Sequence, residues 1–400
     1  MLYEPLGKLF YKNNVLYEST YRERFNNEFT YRYDFSIGEN QAFAVINLEV
    51  LNLLTSILQL DKRLLRLTNL LPPIALTQFT KKCIVDEIQL TNEIEGVHST
   101  RKEIRELIHE DSTNTTIKRK RLYGLVQKYM MLSDGQKINL KSCRDIRTLY
   151  DEFVLAEVKA DHQENVPDGS IFRKDIVEIV SQSQKVIHKG MYPEEKIIMS
   201  MTAALDILHD DNLNYFVNIA VFHYMFGYIH PFYDGNGRMA RFISSYLLNQ
   251  QLEPIVGFGL SYTIKNNIKT YYDLFKMTND PRNKGDLTSF VIGFLEFVKA
   301  AIENLCATIE GRAEQLYFYA SKIEKYTEGN KNVETILYVL VQNALFDDEG
   351  IDIKSLANAA EIGLSTVRDS LRKISKDVLI VRKTGKMNVY SANLDVMAQV

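Results

Sequence analysis

Cysteine is scarce in this chain: three residues in 400, Cys83, Cys143 and Cys306, odd in number and without metal-ligand spacing. That excludes a disulfide framework and a structural zinc, and fits a reducing, cytoplasmic setting. Eight prolines and nineteen glycines are too few for long linkers. Charge of one sign is lacking too: the net charge of −3 gives no global electrostatic case for nucleic-acid binding. The start of the chain, Met1-Leu-Tyr-Glu-Pro5, has neither a basic nor an apolar stretch, so no secretory signal is expected. Internal repeats and low-complexity segments are missing. One run without Asp, Glu, Lys or Arg, Asn212 to Tyr233, has the length of a bilayer span. Asn212, Asn214, Asn218 and His223 interrupt it, and its aromatics are spread throughout instead of gathered at two ends. It reads as a helix buried in a soluble core, and no membrane partner is expected.

What is present is helical periodicity over a length that fits two or three domains. Ala42 to Leu67 places Val45, Leu48, Leu51, Leu54, Leu58 and Leu65 at helical spacing, and Pro72-Pro73 ends that unit. A second helix runs from about Ile74 to Ile94, with Gly96 as its stop. A short one follows over Ser99–His109, with a capping candidate in Ser99-Thr-Arg-Lys-Glu103. Asp111 to Thr116 reads as a polar connector. Ile176–Val180 and Lys185–His188 flank Ser181-Gln-Ser-Gln184 as a small β-hairpin. Helices are then expected over Glu194–His209, Tyr215–Ile229, Asn236–Gln250, Asn266–Asn279 and Leu287–Tyr319. In the last seventy residues, Ile353–Ala360 and Leu364–Leu371 read as helix, turn, helix. Val378–Val381 and Met387–Tyr390 form a hairpin around Thr384-Gly385-Lys386, completing a winged-helix pattern.

The chemistry concentrates in His230-Pro-Phe-Tyr-Asp-Gly-Asn-Gly-Arg-Met-Ala-Arg241. Pro231 cannot continue the preceding helix, so His230 is expected at its end, exposed at the rim of a loop. Asp234-Gly-Asn-Gly237 is turn chemistry, and the apolar spacing of Met239, Phe242, Ile243, Tyr246 and Leu247 starts a new helix. The loop thus feeds a helix N-terminus, whose first N–H groups attract anions. Gly235 and Gly237 let phosphate oxygens approach the backbone. Asp234 suits Mg²⁺ that bridges phosphates. Asn236 can donate to a phosphate oxygen, and Arg238 and Arg241 can reach the outer phosphates. His230 titrates near neutrality and can take a proton from an attacking hydroxyl. Each part alone is commonly only a turn or a solvated face; their co-occurrence points to a site.

His230–Arg241 resembles the signature of the Fic family, His-Pro-Phe-x-Asp-Gly-Asn-Gly-Arg-x-x-Arg, and matches every specified position. The resemblance implies an all-α Fic core with a small β-hairpin flap, and Mg²⁺-dependent transfer of AMP from ATP to a hydroxyl of a target protein or of the enzyme itself. It makes His230 the base, Asp234 the Mg²⁺ ligand and Gly235 to Arg238 the anion cradle. The Ile176–His188 hairpin resembles the flap that aligns a target segment by strand addition. Ser261-x-x-Ile264-x-x-Asn267-x-x-x-Tyr271-Tyr272 resembles the nucleotide-pocket helix, with Ile268 where many relatives carry Arg; core packing is the plain alternative for Tyr271 and Tyr272. Thr91-x-x-x-Glu95-Gly96 resembles the family's inhibitory motif and lies 135 residues ahead of His230. By that likeness Glu95 holds the enzyme off by competing at Arg241; otherwise Glu93 and Glu95 are solvated helix charges.

The domain reading is an N-terminal helical region over 1–115 with the inhibitory helix near 74–96, a catalytic core over 116–300, a connecting helix over 301–330 and a winged helix over 331–400. Seven basic residues against two acidic ones over 364–386 give the tail a local basic face, but 331–400 as a whole is neutral. DNA is therefore the less favoured partner of the tail. A DNA-binding regulator with a Fic sensing module, or a Fic enzyme with another phosphate-containing donor, are the other readings; intact His230 and Asp234 favour the transferase. A homo-oligomer is compatible with all three.

Overall fold

A computed structural model describes residues 3–109, 121–180, 186–347, 349–384 and 387–399. The chain divides into two compact units, residues 1–61 with 85–302, and residues 62–84 with 303–400.

The first unit is built around the helix Tyr215–Ile229, in which all but three of the fifteen residues are buried. A helix apolar all round must sit inside a core. Among the described residues no helix is long and apolar enough to cross a membrane. Glu194–Leu208 and Asn236–Asn249 pack on it. Cys143–Phe153 opens with a capping box in which Ser142 and Asp145 satisfy each other's backbone N–H. The hairpin pairs Glu178–Val180 with Val186–Lys189, antiparallel. Its tip, and the polar connector expected at 111–116, lie outside the described residues.

One expectation for this unit is corrected. Ala42–Val45 is not helical: Asn40–Val45 is a strand paired with Thr30–Ile37, and the helix runs Leu48–Leu70. Phe43 exchanges backbone bonds with Gly285 and Leu287, which fixes the segment extended. This second hairpin was legible, because Tyr33, Phe35 and Ile37 are buried and alternate with exposed Asp34 and Ser36 ahead of a turn at Gly38. The helix expected over Asn266–Asn279 is present as Ile268–Thr278; a separate helix not expected, Leu260–Asn266, precedes it, and Asn267 between them leaves helical geometry with φ −124° and ψ 32°.

In the second unit the helix Thr288–Thr327 continues well beyond Tyr319. Lys331–Phe346, Ile353–Ala360 and Leu364–Lys373 follow. Leu379–Thr384 and Met387–Ala392 pair as a hairpin. An unexpected short strand, Ile351–Asp352, adds to Met387–Ala392 and makes a three-stranded antiparallel sheet. Gly385 and Lys386, read as the hairpin turn, lie outside the described residues. Arg368, Arg372, Lys373, Lys376, Arg382 and Lys383 are exposed on this unit.

Candidate active site

The loop between two helices organises the site. His230 caps Tyr215–Ile229 in the left-handed region, with φ 53°. Its backbone N–H still bonds Phe226 O, while its carbonyl turns out of the helix. Phe232 is buried and stacks on Tyr150 at 3.7 Å. Gly235 takes φ 79° and starts Asn236–Asn249 without any side-chain cap. The helix therefore presents uncapped N–H groups toward the loop.

His230 is half-buried, and its Nδ1 lies 3.3 Å from Gly227 O. A carbonyl can only accept, so Nδ1 carries the proton and Nε2 is left as the basic lone pair. The expected titration near neutrality is revised: burial first, then the Arg173 charge, push His230 down to about 4, with Glu95 opposing. The imidazole is neutral at pH 7, the form a base needs.

Asn236 is also reassigned. Its side chain is buried, accepts from Phe232 N–H at 3.0 Å and donates to Phe232 O at 2.8 Å. The amide closes the loop on itself, so only its backbone N–H faces the helix start. Asp234 keeps a partly exposed carboxylate, 3.8 Å from Arg238 Nη2.

The two arginines are both fully buried. Arg238 Nη1 donates to Glu157 Oε1 at 2.6 Å, a partner the sequence reading missed. Arg238 Nε and Nη2 have no hydrogen-bond partner among the described residues. Arg241 Nη2 lies 2.8 Å from Glu95 Oε1 and donates to Thr91 O at 2.9 Å; its Nε donates to Thr91 Oγ1 at 2.8 Å.

Glu95 is placed by the way its helix ends. Pro73–Ile94 begins with proline at its first position, where a missing N–H costs nothing. It stops in a Schellman pattern: Val97 N–H bonds Asn92 O, Gly96 N–H bonds Glu93 O, and Gly96 takes φ 73°. Glu95 then leans over Gly237, where any Cβ would sit 2.2 Å from Glu95 Oε1. On the same face two turns earlier, buried Glu87 accepts from Ser261 N–H at 2.8 Å and Ser261 Oγ at 2.5 Å. Burial pushes Glu87 up to about 7.

The candidate nucleotide-pocket residues separate. Tyr271 is buried beside Arg241 and Glu95, and its hydroxyl meets His223 Nε2 at 2.8 Å. Ser244 Oγ donates to Ala240 O, so His223 donates to Ser244 from Nδ1 and accepts from Tyr271 at Nε2. Tyr272 is half exposed and sits beside Glu95 and Arg241. Asn267 is exposed, its amide bonded to Thr263 O at 3.0 Å. No group of three or more metal-ligating His, Cys, Asp or Glu occurs among the described residues.

Residues 143–248 match the Fic/DOC family. No curated protein matches the chain. Among solved structures, a Fic family protein from Desulfovibrio desulfuricans G20 is similar with a TM-score of 0.53 and 18% identity, over 91% of this chain and 98% of that one. A Fic domain containing signaling protein from Bacteroides thetaiotaomicron VPI-5482 has a TM-score of 0.45 and 20% identity, over 65% of this chain and 97% of that one. Fic-1 from C. elegans has a TM-score of 0.45 and 18% identity, over 66% of this chain and 73% of that one.

Proposed function

From a chain whose residues 143–248 form a Fic/DOC domain, we infer a protein adenylyltransferase held off by its own Glu95. The observation that carries the reading is Arg238, a buried guanidinium with two donors that make no hydrogen bond among the described residues, at an uncapped helix N-terminus. A buried cation with vacant N–H groups calls for an anion, and a triphosphate supplies one at the spacing of a helix start. In the reaction, a hydroxyl oxygen of the target forms a bond to the α-phosphorus of ATP. The bond from that phosphorus to the bridging oxygen breaks, and pyrophosphate leaves. The hydroxyl proton goes to His230 Nε2, which is unprotonated because Nδ1 is held by Gly227 O.

Asp234 fits Mg²⁺ in one respect: its carboxylate is partly exposed beside the cradle. One carboxylate is typical where the ion arrives with phosphate oxygens and water. When bound, the ion would neutralise phosphate charge. Gly235, Gly237 and the backbone N–H groups of the helix start would seat the phosphates. Glu95 occupies the fork of Arg241 and lies on Gly237, so an outer phosphate is displaced and the α-phosphorus is out of line. We assign the target segment to the open edge of the 176–188 hairpin, by strand addition. Residues 331–400 are read as a winged-helix module that contacts protein in preference to DNA.

The test is transfer of label from α-labelled ATP with Mg²⁺. Glu95→Gly is expected to label itself or a target strongly, and Glu95→Gly with His230→Ala to label nothing while still binding ATP. Near-normal transfer without His230 sinks the assignment of the base. No transfer by a folded, ATP-binding Glu95→Gly protein sinks the reading as a whole.

A further inference from the structure

Arg173 is fully buried and lies outside every motif read from the sequence. Its guanidinium donates to three carbonyl oxygens. Nε reaches His230 O at 2.9 Å, Nη2 reaches Met191 O at 2.8 Å, and Nη1 bonds Asp175 O. Its own backbone N–H donates to Pro231 O at 3.2 Å. Asp175 stands just before the first strand of the hairpin, and Met191 just after the second. One planar fork therefore gathers both ends of the hairpin and the residue that carries the base.

Burying a guanidinium costs several kcal/mol (roughly) unless its donors are met. A hydrocarbon side chain would pack there without that cost, so the position needs the donors. The need is local. His230 is a non-glycine residue at φ 53°, a turn that sends its carbonyl away from the helix ladder. Gly190 makes room: a Cβ there would lie 2.4 Å from Arg173 Nη2 and 3.1 Å from His230 Cβ. A neighbouring flap residue, His188, is tied to the same helix end, its Nε2 2.7 Å from Tyr228 O.

We propose that Arg173 is a positioning residue that clamps His230 to the two ends of the hairpin, so that one side chain sets both the base and the register of the strand docked on the hairpin. The proposal rests on the transferase reading for its kinetic test and stands apart from it in its spectroscopic one. Three charged or titratable groups face His230: Arg173, Glu95 and His188. Arg173 and His188 disfavour the imidazolium and Glu95 favours it.

The experiment uses the full chain in the Glu95→Gly background, with Arg173→Lys, Arg173→Met and Gly190→Ala each added. Lysine keeps the charge but not the fork; alanine at 190 keeps the arginine but pushes it aside. All three are expected to lower kcat roughly 100-fold, the scale of a misplaced catalytic group, with KM for ATP unchanged. Arg173→Met is further expected to raise the pH at which the His230 ring titrates by NMR, while Arg173→Lys leaves it closer to the parent. A general loss of folding would add a signal that titrates as an ordinary histidine, at about 6.5, and leave the titration of the folded signal unmoved. If a folded Arg173→Lys or Arg173→Met protein keeps the parental kcat, the clamp is wrong. If Glu95→Gly itself transfers nothing, the transferase reading fails, and the clamp is judged by NMR alone: an unmoved His230 titration in Arg173→Met overturns it.

Discussion

Arg238 and Arg241 lie one turn apart on the same helix, are equally buried, and are held in opposite ways. Arg238 is fixed by Glu157 from the same unit and keeps two donors without a hydrogen bond among the described residues. Arg241 is met by Thr91, in the last turn of the helix Pro73–Ile94, and by Glu95, just past its end. The first arrangement orients a cation for a ligand still to come. The second supplies the ligand's charge from the chain itself. On the proposed reading, two identical side chains thus separate a permanent part of the site from its removable cover.

Changes at the partners sharpen that contrast, beginning with the strongest. Glu157→Ala leaves the buried Arg238 charge with only the longer Asp234 pair, so unfolding in urea should show a loss of about 3–5 kcal/mol. A loss under about 1 kcal/mol would place Glu157 outside the permanent framework. Glu95→Gly removes a side chain that is 27% exposed and leaves Arg241 two acceptors on Thr91. Its stability cost should be about 1 kcal/mol or less. Its transfer rate should rise on the order of 100-fold, with ATP affinity little changed. Adding Arg241→Ala should cancel that gain, because the same fork seats the outer phosphate; an undiminished double variant would detach Arg241 from the nucleotide.

Glu87 tests whether the covering helix has a permanent foothold. Its folded pKa, about 7, is raised above the ordinary carboxylate value, so the folded state keeps a proton that the unfolded chain releases. Its contribution is full below about pH 4.5 and is lost as pH rises through about 7. Glu87→Gln can keep both bonds to Ser261, as acceptor and as donor. The variant should therefore match the parent at pH 4 and be more stable at pH 8, by about 1–3 kcal/mol in thermal or urea unfolding. Equal stability at pH 8 would mean that the Glu87 carboxyl is not raised above the ordinary carboxylate value in the folded protein. The smallest effect is expected from Thr91→Val, which leaves Arg241 Nε without its acceptor and should cost about 1 kcal/mol, with a modest rise in transfer.

Much of this was legible in the chain, and the rest was hidden for identifiable reasons. The periodicity of Tyr215–Ile229 and Asn236–Asn249, with Pro231 and Asp234–Gly237 between them, located the two helices and the loop that joins them. The pairing of Glu95 with Arg241 was expected and is present as a contact. Glu157 and Arg173 escaped because a single charged residue carries no period, and its partner lies 81 residues away for Glu157 and 57 for the His230 carbonyl. Asn236 and Tyr271 were assigned outward because amides and phenols serve ligands and cores alike. Only the packing shows Asn236 closing its own loop and Tyr271 meeting His223. His230 was assigned an ordinary histidine's titration, since nothing local announces how much protein surrounds the ring.

The bare Cα of Gly237 has a genetic consequence. The space above it is claimed by Glu95, and on the proposed reading by a phosphate when the brake is off. On that reading, a larger residue at 237 would displace Glu95 and crowd the phosphate position in one step. Spontaneous activating mutations should therefore be confined to the Thr91–Gly96 side of the contact, while changes at Gly237 should behave as simple nulls.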